Sequence, residues 1–178
     1  MAGILAPLGN AVLSQEVKDQ QPKKPRFEKT ELTLQDNKSR LIWPLNANLT
    51  EQKFSWSRSF DTLDRIVKKE RFADFHDWRV PTKEELMTLV ELAHSQGYDG
   101  LSPEMSLIAG LASLGFQNLQ DEAYWSSNEN LYFAAEAQVV DMTDGTASFA
   151  DKTLYFNLWP VAAAEDMTCP RRAGTGGQ

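Results

Sequence analysis

Asp77-Trp78-Arg79-Val80-Pro81-Thr82-Lys83-Glu84-Glu85-Leu86 is a turn that feeds a helix start. Pro81 presets φ near the helical value, Thr82 supplies an N-capping hydroxyl, and Glu85 three residues later completes a Thr-x-x-Glu capping box. Trp78 and Arg79 stand just before it, where a large ring and a planar cation can pin the turn to the body of a domain. Arg79 can pair bidentately with a carboxylate, either Glu85 or Asp77. Further along, Tyr124-Trp125-Ser126-Ser127 has the same character. Both stretches describe rigid corners, and neither requires catalysis.

Outward from the corner, Leu86, Leu89, Val90 and Ala93 form the buried stripe of a helix that ends near Gly97. An earlier helix over residues 54–69 carries Phe60, Leu63, Ile66 and Val67 at helical spacing. Ser55 or Ser57 caps its start, and Lys68-Lys69 suit its C-terminal dipole. Residues 27–34 alternate as a strand, and Leu41-Ile42-Trp43 is a short buried strand stopped by Pro44. Over residues 97–122 the pattern loosens. Ser102-Pro103-Glu104 opens a short helix through Leu107, Ile108 and Leu111, which Gly110 and Gly115 weaken. Residues 133–140 and 147–149 flank Asp144-Gly145 as a β-hairpin, and residues 153–161 give one more strand, broken late by Pro160. Trp43, Trp78, Trp125 and Trp159 are expected to fill one core, leaving Trp56 as the most exposed tryptophan.

The ordered set of these pieces closely resembles a bacterial family, the domain found at the C-terminus of the Legionella collagen-like adhesin. Its pattern runs from Asp-x-x-Thr-Gly-Leu-x-Trp through Asp-Trp-Arg-Leu-Pro-Thr-x-x-Glu-Leu to Tyr-Trp-Ser-Ser and a closing aspartate-glycine turn. Asp36 to Trp43, Asp77 to Leu86, Tyr124 to Ser127 and Asp144-Gly145 correspond, so the resemblance covers about residues 27–163. The family's two helix- and strand-borne cysteines are missing here, and its Thr-Gly turn is replaced by Ser39-Arg40. The resemblance implies a variant of the C-type-lectin-like fold, distantly similar to formylglycine-generating enzymes. That is an α+β domain with two main helices packed on a small, mainly antiparallel sheet and long irregular loops. It also implies adhesion or assembly at the cell envelope, with recognition by the loops over residues 97–122 and 128–130. Glycosaminoglycan-type ligands go with one member, and a net charge of −7 argues against them here.

The chain has 178 residues, enough for one domain with a sizeable core plus tails. Its net charge argues against nucleic acid and anionic membranes as partners. No phosphate-binding glycine loop and no twenty-residue apolar run is present. Residues 1–26 comprise a mildly apolar segment and a polar, proline-containing linker. The segment suits a secretory signal remnant, a retained docking arm or a disordered leftover. Residues 164–178 are expected to be a disordered tail around the single cysteine, Cys169, whose simplest role is an unpaired surface thiol.

Chemistry finds little support. His76 and His94 are the only histidines and lack metal-ligand spacing with each other or with Cys169. Calcium would draw on Asp141, Asp144, Asp151 and Glu136, or on Asn128, Glu129 and Asn130, and these form no recognised calcium loop. Ser126-Ser127 lacks a nucleophile elbow. The expected function is therefore a non-enzymatic binding module, periplasmic or at the cell surface, without cofactor, recognising a protein or glycan. Trp56, Tyr98, Phe116, Asn128, Glu129, Asn130 and Tyr132 are its candidate contacts. The alternative is a structural subunit of a homo-oligomer or larger pilus or envelope complex, docked through the 1–26 arm.

Overall fold

The computed structural model describes residues 25–70, 72–74, 77–96 and 103–164. The chain starts with a hairpin built by threonine chemistry. Thr30 Oγ1 accepts the N–H groups of Leu32 at 3.2 Å and Thr33 at 2.9 Å, which turns the backbone on itself. The single strand expected over 27–34 is therefore two, β1 (Phe27–Lys29) and β2 (Thr33–Asp36), paired antiparallel.

Asp36 makes the next turn. Its carboxylate accepts from Lys38 N at 2.9 Å and Ser39 Oγ at 3.2 Å, and Arg40 N donates to its carbonyl at 2.8 Å. Closing this turn forces Arg40 to φ 59°, the left-handed region where a Cβ is penalised. The glycine of the resembling family occupies this position, so Ser39-Arg40 keeps the turn at a cost. Arg40→Gly should raise stability by about 0.5 kcal/mol, the ~1 kcal/mol left-handed penalty less the added freedom of an unfolded glycine. A urea midpoint that rises at unchanged slope would show it, and a lower midpoint would refute it.

β3 (Leu41–Pro44) follows and is buried on both faces. Strand alternation sends Trp43 toward the helices and Ile42 to the opposite side, against Trp78 and Ala162. The first sheet has the order β1-β2-β3-β7, its last strand being β7 (Ala162–Ala163). A second antiparallel sheet holds β4 (Ala123–Glu129), β5 (Glu136–Asp141) and β6 (Ala147–Asp151). The described residues are thus mixed α+β with two small sheets rather than one. Residues 153–161 form no continuous strand. They run irregularly, pairing at single positions such as Phe156 with Phe54 and Val161 with Arg79.

Among the described residues there are three α-helices: α1 (Trp56–Glu70), α2 (Lys83–His94) and α3 (Pro103–Ser113). A 3-10 turn over Phe72–Asp74 follows α1. In α1 Leu63 is buried, whereas Phe60 stays 38% exposed, so its apolar stripe is narrower than the spacing predicts. α2 delivers Leu86, Leu89, Val90 and Ala93 to a cluster that takes Leu34 and Trp43 from the first sheet and Tyr124 and Val140 from the second. One helix thereby ties both sheets together.

α3 occupies much of the region expected to be irregular loop. The helix runs unbroken through Gly110, whose missing side chain lets it approach α2: a Cβ there would stand 2.5 Å from the carbonyl oxygen of Ala93. Gly145, at φ 78° in the β5–β6 turn, likewise lies against Val90 and Leu107.

The four tryptophans are all buried, but not in one core. Trp43 and Trp159 share the main cluster, Trp78 packs on Ile42, and Trp125 packs with Ala123, Ala137 and Val139. Alternation along β3 and β4 separates neighbours onto opposite faces. The first and last described residues meet at the β2–β3 turn: Asn37 Nδ2 donates to Pro25 O at 2.8 Å, and Ala164 N donates to Arg40 O at 2.9 Å. Among the described residues no helix is long and apolar enough to cross a membrane.

Candidate functional site

The Asp77–Leu86 corner is built as its sequence dictates. Thr82 Oγ1 accepts from Glu85 N at 3.2 Å, and the Glu85 carboxylate accepts from Thr82 N at 2.8 Å, closing the capping box. Of the two carboxylates open to Arg79, Glu85 takes both guanidinium nitrogens, at 2.7 and 2.5 Å. Burial alone would push the Glu85 carboxyl up, but the hydrogen bonds from Arg79 and Thr82 outweigh it and hold the group below the usual carboxylate range. Arg79 is raised in turn, chiefly by the same hydrogen bond. With the Arg79 side chain 45% exposed, the pair contributes at most about 1 kcal/mol. Trp78 matters more. It is buried at 5% exposure, its indole N–H donates to Phe72 O at 3.0 Å, and truncating such a ring costs about 3–5 kcal/mol.

The Tyr124-Trp125-Ser126-Ser127 stretch receives this corner. The pairing of β4 with β5 shifts register between Trp125 and Glu129, a bulge that frees backbone groups for other partners. Ser127 N donates to Pro81 O at 2.7 Å, and Ser126 O accepts the indole N–H of Trp56 at 2.8 Å. Asn128 Oδ1 accepts Lys83 N at 2.7 Å, capping α2 from a distant strand. Ser126 Oγ donates to Gln138 O at 2.9 Å, and Ser127 takes part through its backbone N–H. Burial pushes the Tyr124 hydroxyl up, and that hydroxyl accepts Gln120 N at 3.0 Å.

Beyond the bulge the chain makes an exposed tip. Asn130 fixes its base: Oδ1 accepts Tyr132 N at 2.9 Å and Nδ2 donates to Glu136 Oε2 at 2.8 Å. Leu131 and Tyr132 then stand 94% and 90% exposed, with Phe133 also exposed. A second turn lies alongside, joined by Lys152, whose N donates to Ala135 O and whose ammonium reaches Ala134 O and the Glu129 carboxylate. That turn exposes Leu154 and Tyr155. Two adjacent loops at one end of the second sheet thus present five large apolar side chains to solvent.

The sequence candidates distribute unevenly over this geometry. Tyr132 is on the tip. Asn128, Glu129 and Asn130 form its base and act as braces. Trp56 is half-buried, edge-on to Phe60 and under the Lys152 ammonium at 4.4 Å from its ring, so it is no open platform. Phe116 is a correction: at 3% exposure it stacks edge-on against Trp159 inside the core and offers no surface. Tyr98, His76, Cys169, residues 1–24 and residues 165–178 lie outside the described residues. The exposure of Leu131, Phe133, Leu154 and Tyr155 escaped the sequence. An apolar triplet directly after a turn-forming asparagine was its one visible sign.

The oxygen ligands weighed for calcium are engaged separately. Asp144 and Asp151 accept from Thr146 and Thr153, whose hydroxyls and N–H groups hold both carboxyls below their usual range. Among the described residues no three of His, Cys, Asp and Glu converge as metal ligands would.

The family model of the Lcl C-terminal domain matches residues 32–162, well over half of the chain and from β2 to β7. This chain belongs to the Lcl C-terminal domain family. No curated protein matches it. In this Lcl C-terminal domain the matched span includes the Arg79–Glu85 corner, the β4 bulge and the exposed tip, so the family pattern extends over the scaffold and its candidate contact surface alike.

Proposed function

We propose that this Lcl C-terminal domain is a non-catalytic recognition module of the bacterial cell surface, a variant of the C-type-lectin-like fold. It meets a protein or glycan through the paired tips at residues 131–133 and 154–155. The observation that carries this is the near-complete exposure of Leu131 and Tyr132 on a loop whose base is fixed by Asn130 and Lys152. Scattered apolar side chains on a surface mean little. Five on two braced, adjacent loops are a different matter, because rigid aromatic anchors lose little entropy on binding and supply most of the energy of a contact. Membership of a family named for an adhesin's domain supports the surface role. The α+β build, with helices packed on small antiparallel sheets, supports the lectin-like assignment.

The test uses the full chain on immobilised neutral, sialylated and sulfated glycans and on extracellular-matrix proteins. Binding to at least one is expected, falling at least about tenfold in the triple variant Leu131→Ser, Tyr132→Ser, Phe133→Ser, whose circular dichroism stays unchanged. Binding to none of these surfaces, or binding indifferent to the triple variant, overturns the proposal.

A further inference from the structure

A groove of about 430 Å³ runs between the 48–54 loop and α1, away from the tip residues. Leu49, Phe54 and Ile66 give it an apolar floor, and Thr50, Gln52, Thr62 and Arg65 supply its polar groups. The floor is rigid: Phe54 exchanges both backbone hydrogen bonds with Phe156, at 2.9 and 3.0 Å, and its carbonyl also accepts the indole N–H of Trp125 at 2.7 Å. Thr50 Oγ1 is already spent on Gln52 O at 3.2 Å.

Three lining side chains have donors to spare among the described residues, the exposed Gln52 amide and two on α1. Thr62 is 95% buried by its 5% exposure, faces this groove, and has no side-chain hydrogen bond among the described residues. Arg65 is exposed at the edge of the groove and makes no hydrogen bond or ion pair among the described residues. A hydroxyl on a largely buried side chain that faces a groove is free to donate to whatever fills it. A volume in the range of small-molecule sites, an apolar floor, a forked cation and one spare hydroxyl define a ligand by its chemistry.

We propose that this groove binds a monocarboxylate with an aliphatic or aromatic body. The carboxylate takes two parallel hydrogen bonds from the Arg65 guanidinium and a third from Thr62 Oγ1, while the body covers Leu49, Phe54 and Ile66. The net charge of −7 opposes a polyanion, so recognition depends on Arg65, the cation that lines the groove among the described residues, and favours a single negative charge. The site is independent of the tip and stands whether or not the tip binds a surface.

Amide NMR of the full chain titrated with hexanoate and, separately, with hexanamide tests it. Hexanoate is expected to shift amides of residues 49–54 and 62–66 saturably, with hexanamide at least about tenfold weaker. Arg65→Gln should weaken hexanoate by the same factor and Arg65→Lys by less, since the charge survives without the fork. Thr62→Val, which keeps the side-chain shape, should weaken it about threefold. A short peptide with a free C-terminus, compared with its amidated form, separates a chain terminus from a free acid as the source of the carboxylate. No shifts at millimolar hexanoate, equal response to hexanamide, or a folded Arg65→Gln protein with unchanged affinity overturns the proposal.

Discussion

Trp159→Ala is expected to cost about 4–6 kcal/mol, enough to leave a domain of ordinary stability mostly unfolded. Trp159 is completely buried and is the ring that the other aromatic side chains of the main core share. Trp43, Phe116 and Tyr124 all have centroids within 5.7 Å of it. Its indole N–H donates to Pro44 O at 3.1 Å, so removal also strands a carbonyl at the end of β3. Truncating a core tryptophan costs about 3–5 kcal/mol through lost transfer energy and cavity formation. The lost hydrogen bond adds about 1 kcal/mol. Urea unfolding followed by far-ultraviolet circular dichroism reads the effect, and Trp159→Phe, which keeps a ring, should lose roughly half as much. A loss below about 1 kcal/mol in the alanine variant would mean that this cluster is not the centre of the core.

Gly110→Val is the second large effect, with an expected loss of at least about 3 kcal/mol. Here two tendencies compete. Every residue but proline suits a helix interior better than glycine, by about 1 kcal/mol for alanine. Against that, the added Cβ would lie 2.5 Å from Ala93 O and 2.8 Å from Ala93 Cα, and both are backbone atoms that cannot rotate aside. The helices must separate, which disturbs Leu89, Leu107 and Leu111 together. Gly110→Ala should already lose about 1–2 kcal/mol despite its better propensity, and valine adds bulk at the same point. Equal thermal midpoints for wild type and Gly110→Ala would show that α2 and α3 are not locked at this crossing.

Local chemistry was legible in the sequence where neighbours in the chain complete it. The Thr82–Glu85 capping box, the α2 stripe and the Asp144-Gly145 turn all depend on residues a few positions apart, and each forms as its pattern dictates. The third helix was half-legible. Its start at Ser102-Pro103-Glu104 is a local signal, but the role of Gly110 depends on Ala93 in another helix, and no propensity scale contains that. The same limit hid Phe116 in the core and separated the tryptophans: alternation was visible, but not which faces would be covered. The candidate surface was least legible. Tyr132 is conspicuous as an aromatic, whereas Phe133 reads as the start of a strand and Leu131 carries no signal of its own, because the turn that Asn130 closes beneath them is set by its side-chain hydrogen bonds.

The anchoring of Pro25 and Ala164 to one turn has an architectural consequence. A body whose incoming and outgoing backbone are fastened side by side behaves as a plug-in cassette: a host protein can carry it between two nearby residues of a surface loop without bridging a gap. It also determines how such a body bears load. Tension applied through both flanks converges on the short β3–β7 rungs and their neighbours. The second sheet, with its apolar fingertips, lies off that line of force and stays unstretched.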